Sequence, residues 1–199
     1  LFEYEYIPKI FRLNKDVKVK AVVKEPIIFS DKDRKIIISE LVKQKKNDNF
    51  QLMIYLLMYS GLRPSDIINV TVQQIDLDKM EIRFYSSKTG NWYIRPIHDY
   101  IKSILESRIK DKKTGRLFDY SEVKNMGKAF RRYLEDIELN GKNYNLRTFR
   151  KDFISRSQEA GVPINVTSSL VGHSSIKTTM TYYTKLSSKH LKKELKKLK

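Results

Sequence analysis

Apolar residues recur at helical spacing along most of this chain, with one stretch of strict alternation near the middle. Ser30 is placed to cap a helix, with Asp31 and Asp33 in the first turn and Ile36, Ile37, Leu41 and Val42 following. From about Asn49 to Tyr59 nearly every position is apolar, which predicts a helix buried at the centre of the fold. Gly61 stands where a left-handed residue closes such a helix, and Pro64 where a short following helix begins. Between Val70 and Ile97 the period changes. Met80–Tyr85 and Trp92–Ile97 flank Ser87-Lys-Thr-Gly-Asn91, a pattern that predicts a β-hairpin with a loop of about five residues. Further helices are expected at roughly 99–110, 121–138, 147–160, 164–171 and 175–184. The fold class is therefore mostly α with a small antiparallel β-sheet (α+β).

Charge changes the picture most. Forty Lys+Arg against 23 Asp+Glu give the 199 residues a net charge of +17, the electrostatic footprint of a polyanion binder. A membrane surface is the competing polyanion, yet the longest apolar run, Leu52 to Tyr59, is far shorter than the roughly 18–20 residues that cross a bilayer. A hydrophobic fraction of 40% argues against disorder. The absence of cysteine excludes disulfides and thiolate metal sites and fits a cytoplasmic setting.

Three segments are expected. Residues 1–25, aromatic and acidic and then lysine-rich, form a linker or N-terminal arm; 26–185 form the main domain; 186–199 form a basic helical tail striped by Leu191, Leu195 and Leu198. Leu1 in place of an initiating methionine predicts a C-terminal portion of a longer protein.

The candidate chemistry lies mostly in the last quarter. Arg147 and Arg150 are spaced to share one helix face, His173 is expected on another helix, and Tyr182 lies nine positions beyond it; Arg63 and Lys88 stand upstream. Singly these residues say little, because any one arginine in so basic a chain is usually a surface residue. Lys113-Thr-Gly115 even repeats the hairpin's Lys88-Thr-Gly90. Their order and spacing as a set carry the weight.

That set resembles the catalytic domain of the tyrosine recombinases, the phage integrase family, over about residues 26–185. Gly61-Leu-Arg63-Pro-Ser-Asp66 is similar to the family's first arginine box with Asp for Glu, and Lys88 sits where the family keeps a catalytic lysine. Gly161-Val-Pro and Leu170-Val-Gly-His173-Ser-Ser-Ile-Lys-Thr-Thr resemble its later boxes, and its nucleophile corresponds to Tyr182. The second arginine box departs from the pattern. Leu146-Arg147-Thr-Phe149 matches by eye, but the family's spacing to Gly161 selects Arg150, so Arg147 replaces the usual histidine. The integrases of archaeal spindle-shaped viruses are similar in placing another basic residue there. Guanidinium does not deprotonate, so no general-base role passes to Arg147 by analogy.

The resemblance implies site-specific integration or recombination of double-stranded DNA through a 3′-phosphotyrosine intermediate, with self-association into a tetramer on synapsed DNA. Preplaced arginines suit the charge that gathers on a phosphodiester approaching five-coordination. Neighbouring cations favour the phenolate of a tyrosine whose pKa is otherwise about 10. A lysine can protonate the leaving 5′-oxygen. The intermediate conserves the bond energy, so no metal, ATP or other cofactor is expected. A type IB topoisomerase shares this chemistry, and a catalytically silent DNA-binding protein shares the fold; covalent attachment to nicked DNA separates the last from the others.

Overall fold

A computed structural model of the chain describes residues 26–43, 48–173, 175–183 and 195–196. The N-terminal arm lies outside the described residues, as does the tail except for Leu195 and Lys196. Among the described residues the α-helices are α1 (Asp31–Lys43), α2 (Asp48–Ser60), α3 (Pro64–Ile67), α4 (Lys102–Asp111), α5 (Val123–Asp136), α6 (Leu146–Glu159), α7 (Ile164–Val171) and α8 (Ile176–Tyr183). Strands β1 (Ile75–Asp76), β2 (Glu81–Ser86) and β3 (Asn91–Pro96) form one antiparallel sheet in the order β1-β2-β3. The expected fold class, mostly α with a small antiparallel sheet, is the one observed.

Helix α2 is the hub, because most of its positions are apolar. Leu52, Met53, Ile54, Leu56 and Leu57 are inaccessible to solvent and belong to one core with Ile37 and Leu41 of α1, Leu105 of α4, Phe130 of α5 and Phe149 of α6. Burying each such side chain contributes on the order of 1.5–3 kcal/mol. The local signals act as read: the Ser30 hydroxyl accepts from the Asp33 amide at 3.1 Å, and Pro64 takes the first turn of α3.

Among the details that differ from the sequence reading, two concern element bounds. The hairpin loop is Ser87–Gly90, four residues rather than five, because Asn91 already pairs with Ser86. The segment from Asp99 begins as a 3-10 turn, Asp99–Ile101, before α4 opens.

A buried ionic cluster fixes α6. Asp152, with no exposed surface, accepts from Arg34 Nε and Nη2 on α1 (3.1 and 2.8 Å) and from Arg156 Nε one turn along (2.9 Å). Arg156 also donates to the Met58 carbonyl of α2 at 2.6 Å. The cluster thus joins three helices and sets the rotation of the helix that carries Arg147 and Arg150.

Candidate active site

The turn after α2 is the first wall of the site. Gly61 has φ +62°, and a Cβ there would lie 2.5 Å from Phe153 Cδ1 of α6 and 3.0 Å from Val171 of α7. Only a glycine lets the chain reverse in this space. Its carbonyl, brought close to α6, accepts from Arg150 Nη1 at 3.0 Å. Arg63 two residues on is the extended cap residue of α3; its Nη2 donates to the Gly172 carbonyl at 3.3 Å and its Nη1 lies 3.4 Å from Asp66 Oδ2. Asp66 Oδ1 is buried and has no hydrogen-bond partner among the described residues.

The second wall is the end of α7. Gly172 adopts the left-handed conformation (φ 65°), and the His173 amide donates back to the Ser168 carbonyl at 3.0 Å, so the chain turns sharply and presents His173. Arg95 of β3 holds this end from outside through the Leu170 carbonyl, 3.0 Å from its Nε. The third wall is the hairpin loop. Gly90 (φ 69°) closes it, and the Tyr93 hydroxyl anchors Thr89 at 3.0 Å, leaving Lys88 exposed at the tip. Helix α6 supplies the floor, its start defined by a capping box between Asn145 and Thr148.

Between them lies a cleft of about 800 Å³ whose lining includes Arg63, Lys88, Arg147, Arg150, Lys151 and His173 and, among the described residues, neither aspartate nor glutamate. Arg150 is 8% exposed, whereas Arg147 is exposed at the rim. Burial first, and then the charges of Arg150, Arg63 and Lys88, pull the His173 pKa down to about 4, so the ring is neutral at physiological pH. Its Nδ1 lies 2.7 Å from Thr179 Oγ1 of α8.

The structure therefore brings five of the six candidate residues, Arg63, Lys88, Arg147, Arg150 and His173, around one cleft. The sixth, Tyr182, falls in the last turn of α8, and its side chain lies outside the described residues. Helix α8 packs against α6 and α7, the two elements that hold Arg150 and His173. Sequence reasoning missed Lys151, although Arg147, Arg150 and Lys151 follow the spacing of a single helix face. Thr179 and Arg95 carried no such signal, because each acts through a contact distant in sequence or hidden in a run of threonines.

Comparison with known proteins fits this geometry. The chain is 31% identical over 152 residues to the tyrosine recombinase XerA of Saccharolobus solfataricus, a match covering 73% of this chain and 49% of that protein, so the chain spans about half its relative's length. The crystal structure of the XerH site-specific recombinase bound to palindromic difH substrate, a post-cleavage complex, superposes with a TM-score of 0.72 at 13% identity, covering 86% of this chain and 53% of that one. The catalytic domain of bacteriophage HP1 integrase gives a TM-score of 0.66 at 24% identity, covering 86% of this chain and 95% of that one. The family pattern described as "Phage integrase family" matches residues 30–190, and the chain belongs to that family.

Proposed function

We propose that this chain is the strand-transferring part of a site-specific DNA recombinase or integrase. The observation that carries the reading is the convergence of Arg63, Lys88 and Arg150 on His173 in a cleft whose lining, among the described residues, holds five cations and no carboxylate. Such a site is organised for an anion before the anion arrives. In this reading the scissile phosphate sits between Arg63 and Arg150, with Arg147 and Lys151 toward the flanking backbone. The Tyr182 oxygen bonds to phosphorus as the bond to the 5′-oxygen breaks. The phenolic proton passes to solvent, and Lys88 gives its own proton to the leaving 5′-oxygen. The reverse attack by a 5′-hydroxyl restores the phosphodiester and frees the tyrosine, so the cycle consumes neither ATP nor metal.

Family membership, the net charge of +17 and the DNA-bound state of the XerH neighbour support duplex DNA as the partner. Residues 1–25 act as an arm or linker, and 186–199 as a tail that joins neighbouring copies in a tetramer on synapsed DNA in the cytoplasm. The test is a duplex with a nick just beyond the cleavage position, which traps the covalent adduct in the presence of EDTA and without ATP. Binding without an adduct would make the chain a silent DNA-binding protein. Relaxation of a supercoiled plasmid lacking paired sites would make it a topoisomerase. A 5′-bridging phosphorothiolate, whose sulfur leaves without a proton, restores cleavage to Lys88→Ala; no rescue removes Lys88 from the general-acid role.

A further inference from the structure

We propose that Thr179 is a positioning residue of this site: its hydroxyl donates to His173 Nδ1, fixes the imidazole as the Nε2–H tautomer, and so aims a hydrogen-bond donor into the cleft. The inference rests on the reading of the cleft as a phosphate site. Thr179 is fully buried on α8, and its Oγ1 lies 2.7 Å from Nδ1, a short distance for a hydroxyl and an imidazole nitrogen. His173 lines the cleft while Nδ1 is engaged from α8, so Nε2 is the ring nitrogen left for a ligand.

Burial and the charges of Arg150, Arg63 and Lys88 keep the ring neutral, which gives it a single N–H to place. A phosphate oxygen is stabilised by an N–H and repelled by a lone pair. The useful tautomer therefore carries its proton on Nε2, and that tautomer requires a donor at Nδ1. A serine or threonine hydroxyl can supply one; valine, of nearly the same shape, cannot. The same bond ties His173 to the helix that carries Tyr182 three positions further on, so one contact orients an anion donor and holds the nucleophile's helix.

The test compares wild type, Thr179→Ser and Thr179→Val. Imidazole ¹⁵N shifts of His173, in protein saturated with inorganic phosphate, report the tautomer and owe nothing to strand cleavage. Wild type and Thr179→Ser are expected to show Nδ1 unprotonated, and Thr179→Val a mixture. On the nicked duplex, Thr179→Val cleaves about tenfold more slowly, the scale of one oriented hydrogen bond, with DNA affinity unchanged. Thr179→Ser keeps most of the rate. A proton on Nδ1 in wild type overturns the inference, as does a valine variant with unaltered tautomer and rate. If the valine variant does not fold, the tautomers of wild type and Thr179→Ser decide. If wild type never cleaves but shows the expected tautomers, the recombinase reading falls and the positioning role of Thr179 stands.

Discussion

Two clusters of charge share helix α6, and they are built to opposite rules. Around Asp152 the charges are matched by the protein's own groups: two arginines from two helices converge on one carboxylate, Asp31 accepts from Arg34 Nη1 at 2.7 Å as the second acid, and a carbonyl takes a further N–H. Less than one turn away, the cleft gathers Arg63, Lys88, Arg147, Arg150 and Lys151 with Asp66 as the acid paired to Arg63. The first arrangement is complete and holds helices together. The second keeps an excess of positive charge beside the packing that the first provides, an excess that the proposed function assigns to an incoming anion. The difference separates structure from function better than burial does, since Asp152 and Arg150 are both buried.

The comparison can be broken from either side. Asp152→Ala should cost about 3 kcal/mol of folding stability, because it leaves Arg156 without a carboxylate and Arg34 with only the exposed Asp31; chemical denaturation measures it. Arg63→Ala and Arg150→Ala should each lower cleavage by about 10²-fold, the scale of one lost charge-stabilising donor. Their denaturation midpoints should move much less than that of Asp152→Ala. If the cleft variants unfold and Asp152→Ala does not, the assignment of the two clusters is reversed.

Gly61→Ala lies between the two regions. Its Cβ must enter Phe153 and adopt a left-handed backbone, so about 1–2 kcal/mol of stability is expected to be lost. The carbonyl that Arg150 grips shifts with it, so cleavage should fall as well. Stability loss with full cleavage would free Arg150 from dependence on this turn.

A further expected effect concerns pH. The His173 pKa is about 4 in the folded chain against an ordinary 6.5, so the unfolded chain binds the extra proton. The contribution of His173 to stability is therefore fully present above about 6.5 and is lost as pH falls toward about 4. His173→Gln should flatten that part of the stability profile. An anion in the cleft offsets the three cations, so DNA should raise the His173 pKa, which NMR titration can follow.

Much of this was legible in the sequence where the signal is local. The unbroken apolar run of α2, the Ser30 cap, the Gly61 turn and the bounds of α7 follow from neighbours within a few positions. Strand β1 did not, because two residues cannot display a period. The sequence makes the hairpin loop one residue too long, since strand register is set by pairing that Asn91 alone does not reveal. The Asp152 cluster was invisible for a different reason: Arg34 and Asp152 are 118 positions apart. Within the site, the order of the arginines, lysine and histidine could be read, but the hydroxyl behind His173 could not.

The central claim is that the cleft serves a tyrosine nucleophile on α8. Its most direct test is peptide mapping of the adduct trapped on the nicked duplex, run for wild type and Tyr182→Phe. The account predicts DNA phosphate on Tyr182, and no adduct in Tyr182→Phe despite unchanged DNA affinity. Phosphate on Tyr183, or an adduct that survives Tyr182→Phe, would contradict it.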